Sequence, residues 1–243
     1  MTRDLLWRGM LAGILAALLA TLFARTFAEP QVDRAIAFEA SHEAHAMGRG
    51  DEEEEAPVSR ATQKGIGLAT AVTLYGAAIG GIFSLVFAAC YGRIGPIGPR
   101  TLALLLAALG FLIIVIVPGI KYPPNPPAVG KPDTIQLRTG AYFAMMAVSI
   151  AGMAIAVRVR TMAAVRLGAF DALIVGVFTY ILVVALAQAG LPQIDEVPAD
   201  FPAGVLWSFR VASIGMQLTL WVALALGFGW MAERCLRKAG PAR

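Results

Sequence analysis

Charge is scarce in this chain: Asp, Glu, Lys and Arg make up 15% of its 243 residues, against 58% hydrophobic residues. Soluble domains carry about 25% charged residues, so this composition excludes an ordinary water-borne surface and places the chain among polytopic membrane proteins. Histidine and cysteine are scarcer still, with two of each. Whole motifs are missing as well. No G-x-x-x-x-G-K-[ST] occurs, which excludes ATP hydrolysis by a P-loop. Neither H-E-x-x-H nor G-x-S-x-G occurs, which removes the usual zinc-protease and serine-hydrolase signatures. The chain is therefore read as a non-enzyme with no bound cofactor. The formal net charge of +4 invites a nucleic-acid partner. That partner is rejected, because the basic residues flank apolar runs instead of forming a stripe with aromatics.

What the chain does have is long apolar runs. Crossing the hydrocarbon core takes about 20 such residues, and six segments qualify: Leu5 to Phe27, Gly65 to Tyr91, Thr101 to Ile120, Thr139 to Val157, Ala169 to Gly190 and Leu206 to Met231. Lipid offers backbone N–H and C=O groups no partner, so each is expected to be a helix. The alternation of a membrane barrel is absent. The expected fold is all-α: a polytopic membrane protein, one integral domain over residues 1–243, with six transmembrane helices.

Sidedness follows from the basic residues. The N-terminus, the loops holding Arg93, Arg100, Arg158, Arg160 and Arg166, and the tail from Arg234 together hold eleven of the 20 Lys and Arg residues, all close to helix ends. The positive-inside rule then puts both termini in the cytoplasm. Thirteen of the 16 acidic residues fall on the other side. Cys90 and Cys235 face the reducing compartment and are expected as free thiols. The first apolar run is longer than a signal-peptide core, so it is read as a retained helix.

Two spacings speak to packing. Gly9-x-x-x-Gly13 and Gly76-x-x-x-Gly80 suit close helix contact, although 25 glycines produce such spacings by chance. Pro30-Gln31-Val32-Asp33 after the first span is echoed by Pro192-Gln193-Ile194-Asp195 after the fifth. The echo fits related helical hairpins, and it fits ordinary helix-end chemistry equally simply.

Chemistry is sought first in residues 29–64, an acidic extracytoplasmic loop that contains both histidines. In Phe38-Glu39-Ala40-Ser41-His42-Glu43-Ala44-His45, a helix would put Glu39, His42 and Glu43 on one face, with His45 one turn from His42. Imidazole with carboxylate suits a borderline divalent ion such as cobalt or nickel. The run Asp51-Glu52-Glu53-Glu54-Glu55 would concentrate cations nearby. The same residues also read as a solvated acidic loop with no ligand.

A second candidate is the Pro-rich extracytoplasmic loop at 121–138. Its prolines forbid helix and leave carbonyls beside Asn125 and Asp133 that could meet a cation; a rigid turn accounts for them too. Within the spans, Gln217 is the deepest strongly polar side chain, and Asp171 near the inner interface is expected to pair with Arg166. Met145, Met146, Met153 and Met216 offer thioethers, a type that more often packs than ligates.

Four blocks of sequence resemble the CbtA family of predicted bacterial cobalt transporter subunits. They are Glu29-Pro30-Gln31-Val32-Asp33-Arg34-Ala35-Ile36-Ala37-Phe38-Glu39, Tyr75-Gly76 through Tyr91-Gly92-Arg93, Lys121-Tyr122-Pro123-x-Asn125-Pro126-Pro127-Ala128-Val129-Gly130-x-Pro132-Asp133-Thr134, and Glu196-Val197-Pro198-x-x-Phe201-Pro202-Ala203 leading to Leu206-Trp207-x-Phe209-Arg210. The resemblance implies a multi-pass protein of the bacterial inner membrane that takes up cobalt(II) for cobalamin synthesis. It also implies a small single-span partner of CbtB type. The expectation is then a cobalt uptake subunit in which His42, His45, Glu39 and Glu43 recruit the ion and Asn125, Asp133, Arg210 and Gln217 line its path. A nickel transporter would look the same, and a homo-oligomer is compatible. A non-transporting membrane scaffold is the alternative from another class, supported by the dryness of the helices.

Overall fold

A computed structural model describes residues 2–46, 59–127 and 129–238, with the side chains of residues 42–46, 132 and 238 left out. The described residues are helical with no strand. Helix α1 (Thr2–Phe23) passes through a π-helical turn (Ala24–Ala28) into α2 (Glu29–Ala46) without a break. The stretch expected as a loop after residue 29 is thus helical as far as Ala46. A short α3 (Arg60–Thr62), begun by Ser59 accepting the Thr62 N–H, leads into α4 (Leu68–Cys90). Then come α5 (Pro99–Gly110), α6 (Val117–Lys121), α7 (Ile135–Gly190) and α8 (Ala203–Lys238).

Among the described residues, five helical stretches are long and apolar enough to cross a membrane: Thr2–Ser41, Arg60–Cys90, Pro99–Lys121, Ile135–Gly190 and Ala203–Arg237. The fourth contains both the fourth and the fifth segments read from the sequence. It is not one straight rod, because Gly168 has φ +79° and ψ 173°. That backbone region is essentially open to glycine alone.

The chain forms two compact units. The first comprises Met1–Phe111, Pro126–Ala128 and Phe201–Arg243. In it α1 packs against α4 and α8, and α5 against α8. The glycines at positions 9 and 13 face those at 80 and 76, and a methyl on any of the four would overlap the facing backbone. Both spacings noted in the sequence are therefore real contacts, in which absent side chains let two helix backbones touch. Deeper along α4 and α8 the contact turns aromatic. Phe83 and Phe87 meet Phe228 edge-on at 5.5 and 5.1 Å, and Trp221 fills the space that Gly110 leaves open.

The second unit comprises Leu112–Asn125 and Val129–Asp200. The two arms of α7 lie side by side: Val183 fits over Gly152, and the Arg160 stem over Gly176. A buried hydrogen bond of 2.8 Å joins the hydroxyls of Ser149 and Tyr180 between the arms. Around it Val117, Tyr122, Ala141, Met145 and Ala156 form the unit's core.

Candidate functional site

The helix α2 carries Glu39, His42, Glu43 and His45, so the sequential spacing expected for a shared face is kept in the backbone. Glu39 is exposed. The side chains of His42, Glu43 and His45, and all of Asp51 to Glu55, lie outside the described residues. Among the described residues no group of three or more His, Cys, Asp or Glu side chains could hold a metal ion.

The base of this helix is firmly braced. The Arg60 guanidinium pairs with Glu29 at 2.6 Å and with Asp33 at 3.2 Å, and Lys64 reaches Asp33 at 3.2 Å. Ala35 is fully buried, and Phe38 meets Phe201 edge-on at 5.0 Å. Two carboxylates of the acidic stretch are thereby committed to ion pairs that hold α2 against the start of the next helix. They are fastenings of the stretch, and Glu39 is exposed about one turn and a half further along it.

The end of α6 and the start of the Pro-rich loop are cross-linked to the end of α7 and to the chain just after it. The Lys121 ammonium donates to the Gln188 carbonyl, and the Gln188 amide donates back to the Val117 carbonyl at 3.4 Å. The Tyr122 hydroxyl donates to the Pro192 carbonyl at 2.7 Å. Several carbonyls at these helix ends therefore accept bonds from side chains within the unit. Asn125 and Asp133 are exposed, in the second unit.

The centre of this bracing is a residue that sequence reasoning did not single out. The Glu196 side chain is only 6% exposed. Its Oε2 accepts from Arg138 Nη1 at 3.0 Å and from the Lys131 backbone N–H at 3.1 Å. Gly130, at φ +128°, leaves the room that the Arg138 guanidinium occupies. The Thr134 hydroxyl, the Lys131 N–H and the Arg138 charge together hold the Glu196 carboxyl below its ordinary value, against the opposing pull of burial. A glutamate among Asp195, Val197 and Pro198 looks like any loop acid, so no local signal could have marked it.

Inside the first unit, Gln217 lines a cleft of about 230 Å³ with Ala71, Val72 and Tyr75 of α4 and Met216 and Leu220 of α8. Its Oε1 is buried, and no hydrogen-bond partner for it is present among the described residues. The Trp221 indole N–H, one turn further along α8, is in the same position. Arg210, half-buried, belongs to this unit too. Of the methionines considered as ligands, Met145 is fully buried in the second unit's core with Met153 packed against it, which makes both of them packing. Asp171 and Arg166 are both exposed and do not pair, contrary to the expectation from their spacing.

Residues 2–233 match the family described as "Probable cobalt transporter subunit (CbtA)". The chain belongs to this family. The match covers nearly the whole chain, so the second compact unit, nearly all of the first and every candidate residue above fall within it. No curated protein and no solved structure shows significant similarity to the chain. Membership of CbtA, together with the apolar helices, makes this a membrane protein of cobalt transport. The word subunit in the family's description implies that other subunits exist.

Proposed function

We propose that this chain is the membrane-embedded subunit of a cobalt(II) uptake system in the bacterial inner membrane, serving cobalamin synthesis and working with a small single-span partner of CbtB type. The observation that carries this reading is the family match over residues 2–233 on a chain with five helices fit to span a bilayer. In this reading the two arms of α7 cross separately, giving six crossings, both termini in the cytoplasm, and one integral membrane domain. An unbroken 56-residue helix would extend about 84 Å, far beyond the ~30 Å core, and the Gly168 break divides it into arms that pack on each other. The role is transport without catalysis.

His42, His45, Glu39 and Glu43 recruit the ion outside the membrane, on a helix whose base the Glu29–Arg60 and Asp33–Lys64 pairs fix in place. The acid run that follows raises the local cation concentration. Among the candidates for the path, Gln217 has the strongest support: an amide oxygen without a partner at membrane depth is costly to keep. Asn125, Asp133 and Arg210 are proposed as further residues of the ion's path. Uptake of radioactive cobalt by cells with and without the chain, with nickel as competitor, tests the assignment. A scaffold would leave uptake unchanged, and stronger inhibition by nickel than by cobalt itself would reassign the cargo.

A further inference from the structure

The arms of α7 carry an inference beyond transport, one that rests on reading each arm as a membrane crossing. At about 1.5 Å per residue, residues 135–167 extend about 50 Å. The uncharged part from Thr139 to Val157 accounts for about 28 Å of that, close to the ~30 Å hydrocarbon core. The second arm pairs with it at Gly152–Val183 and Arg160–Gly176, so both arms leave the hydrocarbon near Arg160 and Gly176, and the first continues about 10 Å further before it turns at Gly168.

This overhang has an unusual make-up. Val165 is 86% exposed, Phe170 73% and Met162 62%. Interleaved with them are Arg158, Arg160 and Arg166, all exposed and none paired with a described carboxylate. No acid occurs between Arg138 and Asp171. The Arg160 stem is fixed across Gly176 of the second arm, so its charge is held at the hairpin's side. Water would be a poor solvent for the apolar side chains, and hydrocarbon a poor one for the arginines. The headgroup layer accepts both, and phosphate oxygens match guanidinium in pairs.

We propose that the tip of the α7 hairpin is a headgroup-depth surface that selects anionic phospholipid, with Arg158, Arg160 and Arg166 gripping the phosphate and Met162, Val165 and Phe170 entering the upper acyl region. The test uses the full chain, with Cys90 and Cys235 replaced by serine, in nanodiscs of phosphatidylcholine and phosphatidylglycerol at equal mole fraction. A fluorophore is attached at Val165→Cys and, separately, at Leu186→Cys in the second arm, level with the middle of the first. Either the anionic or the neutral lipid carries bromine as quencher.

The anionic brominated lipid is expected to be enriched about fivefold over the neutral one at the Val165 label. That preference falls to parity in R158Q/R160Q/R166Q, while the Leu186 label is quenched equally by both lipids throughout. Equal quenching at Val165 in the unsubstituted tip overturns the lipid selection. No quenching at Val165 with normal quenching at Leu186 places the tip in water and overturns this proposal alone. No quenching at either position removes the crossings themselves, and this proposal with them. Inorganic phosphate, compared with chloride at matched ionic strength, leaves the ratio unchanged; loss of the preference would mean that the arginines bind phosphate as a free anion, and the lipid assignment falls.

Discussion

At the scale of single residues, Glu196 and the two histidines make different demands. Glu196 holds one oxygen against both Arg138 and the Lys131 backbone. Because its folded pKa lies below its ordinary 4.5, the stability it contributes is present above that value and is lost as pH falls through the depressed one. Thermal unfolding in detergent should therefore weaken below about pH 4.5 for the native chain, with a flatter profile in Glu196→Gln. The variant should also be less stable at pH 7, because the amide carries no charge to face Arg138. A parallel pair of pH profiles would contradict the assignment. For His42 and His45, replacing both with alanine should reduce uptake severalfold at limiting cobalt and leave it near normal at saturating cobalt. That outcome separates capture from passage; unchanged uptake at limiting cobalt would make the stretch a solubilising surface.

Helices and their contacts set the next scale, and glycine decides two of them. Gly13 and Gly76 bring α1 and α4 into backbone contact, so Gly13→Leu has no space to occupy. It should cost about 1–3 kcal/mol or more, read as a lower unfolding temperature, while Gly140→Ala, with open space around it, should be silent. Gly168→Ala tests the α7 bend. Its φ of +79° with extended ψ strains any other residue by about 1–3 kcal/mol, so the hairpin of the second unit should loosen. The two glycine classes differ in legibility. The fourfold spacing in α1 and α4 was visible in the sequence, though only the contact shows that it is used. A turn between the fourth and fifth segments was expected among Arg158, Arg160 and Arg166, but nothing placed it at Gly168, because the helix runs on through those arginines before it breaks. The helix over Glu29–Ala46 was half-legible: its ligand spacing was conditional on a helix, yet Pro30 and five charged residues argued for a loop. Tertiary fastening by Arg60 and Phe201 overrides that local signal, and such partners lie far along the chain.

At the scale of the whole molecule, the apolar runs and their flanking charges announced an all-helical membrane chain, because lipid leaves backbone so few options. The family blocks, running from Glu29 to Arg210, were legible within the residues 2–233 that the family match covers. A route for the ion was not, since isolated polar side chains such as Gln217, Asn125 and Asp133 follow no spacing rule in a sequence. Sidedness is open to a direct check: a periplasm-active reporter joined near Ser41 should be active, and one active in the cytoplasm there would invert the map of capture and entry. The account rests above all on cobalt crossing the membrane because this chain is present. Radioactive cobalt uptake should be measured in cells lacking other cobalt importers, with the chain and its single-span partner expressed together. Accumulation that saturates with cobalt and disappears when the chain is omitted is the predicted result. Accumulation equal with and without the chain would contradict it.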